Sequence, residues 1–142
     1  MTRIFSASAI ALIASLTSAN AATEIQWWHA MGGELGAKLE EIAKNFNESQ
    51  TDYVIKPSYK GNYVETMTAA IAAFRAKQQP AIVQVFEVGT GTMIAAEGAI
   101  YPVYQLMADN SEPFDPATYL PAVAGYYTDT QGNMLSMPFN SS

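Results

Sequence analysis

Three short runs with strand character, separated by stretches of helical length, constrain this chain more than any other feature. Glu24-Ile25-Gln26-Trp27-Trp28-His29 alternates and then turns aromatic, Tyr53-Val54-Ile55-Lys56-Pro57 is a second short apolar run, and Ala81-Ile82-Val83-Gln84-Val85-Phe86 is nearly continuous and β-branched. After Gly32-Gly33, the residues Leu35, Leu39, Ile42, Ala43 and Phe46 recur at helical spacing, with Glu40 and Lys44 paired four apart on the other face and Asn45 to Gln50 closing the helix. Beyond a Gly61-Asn62 turn, Val64, Met67, Ile71 and Phe74 make a second apolar stripe, and Arg75 and Lys77 bring positive charge to its last turn, where the helix dipole favours it. Pro80 ends that helix, and Gly89-Thr90-Gly91 leads to a short third one through Met93 to Ala96, which Gly98 breaks. The order strand, helix, strand, helix, strand, helix predicts an α/β fold, a mostly parallel sheet with helices on both faces. Ala81–Phe86 reads as the best strand, covered on both faces. Asn110 to Pro116 reads as a polar loop, and Met134 to Met137 as a further strand.

The N-terminus carries a different kind of information. Met1-Thr2-Arg3 precedes an uncharged, mostly apolar stretch from Ile4 to Leu16 and then Ala19-Asn20-Ala21, the order of a secretory signal peptide. That stretch falls short of the roughly 20 residues a membrane-spanning helix needs. Residues 1–21 are therefore predicted to be removed, leaving one domain over 22–142. With Arg3 gone, the seven basic residues become six against thirteen acidic ones, a formal charge of −7 that disfavours nucleic acid and anionic membranes as partners. The absence of cysteine excludes thiolate metal sites and cysteine nucleophiles. Pro138-Phe139-Asn140-Ser141-Ser142 follows an apolar segment with no polar tail, which reads as a truncated product.

In open parallel sheets ligands bind beyond the carboxyl ends of the strands. That rule selects Trp28 and His29, Tyr59 to Tyr63, Glu87 with Gly89 to Thr92, and Asn140 to Ser142. Glu87, directly after an apolar run, is either a solvated strand-end carboxylate or an acceptor for vicinal ligand hydroxyls. Tyr63 either offers its hydroxyl or ring to a ligand or packs at the start of a helix. His29, the sole histidine, has no second ligand at metal spacing and reads as structural, so no metal site is expected. Of Trp27 and Trp28, one belongs to the core and the other faces the opposite way. Gly89-Thr90-Gly91-Thr92 is similar to an anion-binding turn but lacks the spacing of a dinucleotide fingerprint and the lysine of a P-loop. No nucleophile elbow is present, and no second acid stands at another strand end to make Glu87 half of a hydrolytic pair.

Several blocks together carry a likeness. Trp28-His29-Ala30-Met31, Gly33-Glu34-Leu35-Gly36, Tyr59-Lys60-Gly61-Asn62-Tyr63, Ala72-Ala73-Phe74-Arg75, Gln84-Val85-Phe86-Glu87-Val88-Gly89-Thr90 and Pro138-Phe139-Asn140-Ser141-Ser142 resemble, in order, the glycerol-3-phosphate branch of the solute-binding proteins of ABC uptake systems. The resemblance implies the N-terminal lobe of a two-lobed fold with a hinged cleft. It implies a periplasmic monomer without cofactor that binds glycerol-3-phosphate or a glycerophosphodiester such as glycerophosphocholine and presents it to a membrane permease. It also implies ligand contacts from Tyr63, Glu87 and Ser142. Members of the family are about three times as long, so a cation for the phosphate is expected from outside this sequence. A binder of sugars or oligosaccharides, and a secreted carbohydrate-active enzyme using Glu87, are the alternatives.

Overall fold

The computed structural model describes residues 21–96 and 98–140. The predicted signal peptide, but for Ala21, and the predicted contact Ser142 lie outside them. The chain runs as strand β1 (Thr23–His29), helix α1 (Gly33–Ser49), strand β2 (Tyr53–Tyr59), helix α2 (Tyr63–Arg75), strand β3 (Ile82–Val83) and helix α3 (Glu87–Ala95). Two further helices, α4 (Val103–Asp109) and α5 (Pro121–Tyr126), and a 3₁₀ turn at Pro116–Thr118 follow. The three strands form one parallel sheet in the order β2-β1-β3. Because the chain moves from β1 outward to β2 and then back across to β3, right-handed crossovers place α1 and α2 on opposite faces. The α/β class and the parallel pairing agree with the sequence pattern.

The outer edge of β2 is sealed from within the chain. Asn47, near the end of α1, accepts the Ile55 N–H at 2.7 Å and donates to the Ile55 carbonyl at 2.9 Å. Gln50 does the same at Tyr53, with contacts of 2.8 and 2.7 Å. Two side-chain amides thus satisfy backbone groups that would otherwise template a foreign strand. Pro57 is tolerated in β2 because an edge strand can spare one N–H, and the strand continues beyond it to Tyr59.

Several sequence-based expectations are corrected. Ala81–Phe86 is not a long, doubly covered strand: β3 is the shortest, paired only through Ile82 and Val83 on Trp27 and Trp28, and Ile82 is 44 % exposed. The run leaves the sheet where Gln84 turns its side chain back onto the end of β1. Along α1 only Leu39 and Ala43 are buried, whereas Leu35, Ile42 and Phe46 stay exposed, because among the described residues the helix packs chiefly on the edge strand β2. The same happens along α2, where Thr66 and Ala70 are buried while Val64 and Phe74 are exposed. Lys44 pairs with Glu48 at 3.7 Å, not with Glu40, and Lys38 pairs with Glu41 at 2.8 Å. These exposed pairs contribute little. Met134–Met137 forms no strand; Met134 is fully buried and makes one antiparallel bridge with Thr128. The third helix begins at Glu87, so Gly89 and Gly91 lie inside it rather than leading up to it and form no anion-binding turn. The polar loop at 110–116 is present, but the helices on either side of it, α4 and α5, were not anticipated.

Candidate functional site

The strand order reverses around β1, so the carboxyl ends of β1 and β3 border the crevice where ligands of open α/β sheets bind. Helices α2 and α3 both begin there. Gly61, at φ +93°, turns the chain out of β2 in a conformation that other residues rarely adopt. A capping box then starts α2: Asn62 Oδ1 accepts the Glu65 N–H at 3.0 Å, and the Glu65 carboxylate accepts the Asn62 N–H at 2.8 Å. Tyr63 is thereby fixed as the first residue of α2, and its ring stacks on Phe86 with centroids 5.6 Å apart. Phe86 precedes α3 and Glu87 is its first residue, exposed to solvent, where the helix dipole favours a negative charge. No side chain caps α3.

Gly89 keeps this corner tight. A Cβ there would come within 2.7 Å of Met67 Sδ and 3.0 Å of the Phe86 ring, so the glycine leaves room for both side chains where α3 approaches α2.

These elements enclose an open cleft of about 530 Å³, lined by Tyr63, Phe86, Glu87 and Thr90 on one side and by Tyr126, Tyr127 and the segment Pro138–Asn140 on the other. Of the three residues singled out from the sequence, Tyr63 and Glu87 are brought into this one cleft, and Ser142 lies two residues past its described wall. The α5 residues Ala122, Val123 and Tyr126 also line it. Sequence reasoning missed them, although Leu120-Pro121 ahead of a small apolar run is the signature of a helix start with proline in its first turn. Gln84 was passed over too; a polar residue inside an apolar run is the available signal, since burial there demands hydrogen bonds.

His29 is not in the cleft. It is 2 % exposed, its Nδ1 accepts the Met31 N–H at 3.3 Å, and its ring lies 6.3 Å from Trp27 and 6.0 Å from Tyr59. Burial holds its pKa below the ordinary histidine value. With Nδ1 accepting, the proton of the neutral ring sits on Nε2. The tryptophans face opposite ways, but neither is a core residue as the sequence suggests: both are half-buried, Trp27 meeting Phe139 edge-on at 5.4 Å and Trp28 lying 4.1 Å from the Lys60 ammonium. Among the described residues no group of three or more acidic or histidine side chains is placed to hold a metal ion.

The fold of this chain recurs in a solved structure, "CpMnBP1 with Mannotriose Bound", at a TM-score of 0.63 and 18 % identity over 79 % of this chain and 27 % of that one. Sequence likeness is closer. A sn-glycerol-3-phosphate-binding periplasmic protein of Rhizobium meliloti (strain 1021) is 50 % identical over 140 residues, 99 % of this chain and 33 % of the relative. Its counterpart in Brucella suis biovar 1 (strain 1330) is 49 % identical over 144 residues, with the same coverage of both. That of Yersinia pestis bv. Antiqua (strain Antiqua) is 56 % identical over 126 residues, 88 % of this chain and 28 % of the relative. Nearly the whole chain matches the N-terminal third of these proteins. It spans about a third of the length of the curated relatives it matches. No family model matches.

Proposed function

We propose that the chain forms one lobe of the solute-binding component of an ABC importer, which captures glycerol-3-phosphate or a glycerophosphodiester in the periplasm and delivers it to a membrane permease. One observation carries the reading: Tyr63 and Glu87, chosen from the sequence by the strand-end rule, line a single cleft in a chain about half identical to glycerol-3-phosphate-binding periplasmic proteins. The chemistry of the cleft suits such a ligand. An ionised Glu87 accepts hydrogen bonds only, which fits the hydroxyls of a glycerol backbone. The Tyr63 hydroxyl donates or accepts. Among the described residues Glu87 is the one carboxylate lining the cleft.

Calorimetric titration of the complete gene product with glycerol-3-phosphate, glycerophosphocholine and maltose tests the reading. Saturable heat with one or both phosphate esters and none with maltose supports it. Binding of maltose alone points to a sugar carrier, and release of a product during prolonged incubation replaces the binder with an enzyme.

A further inference from the structure

Gln84 sits in the middle of an apolar run and is 7 % exposed, yet both ends of its carboxamide are engaged. Its Oε1 accepts the Ala30 N–H at 2.9 Å, and its Nε2 donates to Asn140 Oδ1 at 3.0 Å. The Gln84 backbone N–H also donates to the Trp28 carbonyl at 2.8 Å, so the residue is anchored to the end of β1 by main chain and side chain alike. This arrangement permits one orientation of each amide. A backbone N–H can only donate, so it fixes the oxygen of Gln84 on the Ala30 side; the nitrogen must then face Asn140, and it can be met there only by the asparagine's oxygen. The NH₂ group of Asn140 is left on the side away from Gln84. Asn140 is exposed and lines the same cleft as Tyr63 and Glu87, on a segment that Phe139 holds against Trp27.

We propose that Asn140 is a ligand-binding residue whose NH₂ group donates to an oxygen of the bound solute, and that Gln84 is the positioning residue that keeps the donor, not the carbonyl, turned to the cleft. Glu87 supplies an acceptor and Asn140 a donor, so the lobe discriminates in favour of a solute that carries hydroxyl hydrogens and an acceptor oxygen close together, as a phosphorylated polyol does. The inference rests on the ligand reading given above.

The test titrates the complete gene product and its variants with glycerol-3-phosphate, and follows each by thermal unfolding. Asn140→Asp keeps the contact with Gln84 Nε2 but replaces the NH₂ by a second oxygen; it is expected to weaken binding about ten- to a hundredfold with the melting temperature unchanged. Gln84→Glu still accepts from Ala30 but can no longer donate, so the unaltered Asn140 amide turns its oxygen to the cleft; a loss of similar size is expected. Because Gln84 acts through Asn140, the double variant Gln84→Glu, Asn140→Ala should bind no more weakly than Asn140→Ala alone, a coupling that a merely structural glutamine would not show. If the buried carboxylate prevents Gln84→Glu from folding, the exposed Asn140 variants still decide the matter. Wild-type binding that Asn140→Asp and Asn140→Ala leave unchanged, with Glu87→Gln still impaired, overturns this inference alone. Wild-type protein that takes up no glycerol-3-phosphate overturns the ligand reading and this inference with it.

Discussion

Replacing Leu39 and, separately, Ile42 by alanine distinguishes what the fold does with two residues that the sequence presents as equals. Both belong to the apolar stripe of α1, and both substitutions delete three carbons. Leu39 is 2 % exposed, so its loss removes roughly 2.4 kcal/mol of transfer free energy at about 0.8 kcal/mol per buried CH₂, and the incompletely filled cavity adds to that. A destabilisation of about 3 kcal/mol follows, within the range of roughly 2 to 5 kcal/mol for such changes. Ile42 is 50 % exposed, which halves the transfer contribution to about 1.2 kcal/mol, leaves no closed cavity, and is offset by a few tenths from the better helix propensity of alanine. A cost of about 1 kcal/mol or less is expected. Urea unfolding of the chain from residue 22 to 142, with the slope compared between variants to guard against altered compactness, measures both. Equal losses at the two positions would mean that α1 buries a face other than the one bearing Leu39 and Ala43, and would refute the packing described.

In the complete gene product, Glu87→Gln should weaken glycerol-3-phosphate binding about ten- to a hundredfold by calorimetry with the melting temperature unchanged, because the amide keeps the shape but loses a charged acceptor worth roughly 1.5 to 3 kcal/mol. The exported chain, residues 22–142, should show no measurable glycerol-3-phosphate binding where the complete protein saturates, since its cleft is open and contacts a solute from one side; comparable affinities would show that this chain carries the site unaided. Burial lowers the folded-state pKa of His29, so the unfolded chain binds the proton first and stability falls as pH drops below 6.5; replacing His29 by glutamine should flatten the denaturation midpoint over that window, and an unflattened profile would assign the dependence elsewhere. Edman sequencing of the exported protein should begin at or near Ala22, and an intact Met1 would contradict the signal-peptide reading.

The strand–helix alternation was legible from residues alone because it depends on period. Apolar residues that recur every three or four positions, and β-branched runs bounded by glycine and proline, bias the backbone locally whatever lies around them. Tyr63 and Glu87 were legible for a related reason: a parallel sheet places its strand ends at one edge, so position in the alternation already selects them. Which side of each stripe meets the sheet was not legible. Leu39 is buried and Leu35 exposed because α1 lies over an edge strand, and the buried position in α2 falls to Thr66 rather than to Val64 because of where that helix crosses β1. Periodicity names a face, but only the layout of the neighbouring element decides how much of it is covered.

The run Ala81–Phe86 shows the same division. Its composition favours extended backbone, yet pairing requires a partner strand in register, and only Ile82 and Val83 find one before Gln84 is drawn onto Ala30. The polar residues shift in meaning most of all. Asn47 and Gln50 look like ordinary helix-ending residues and prove to seal the edge of β2; Gln84 looks like an interruption and links β1 to the wall of the cleft. A hydrogen bond between residues 56 apart has no local signature, because its free energy depends on two groups meeting only after the chain between them has folded.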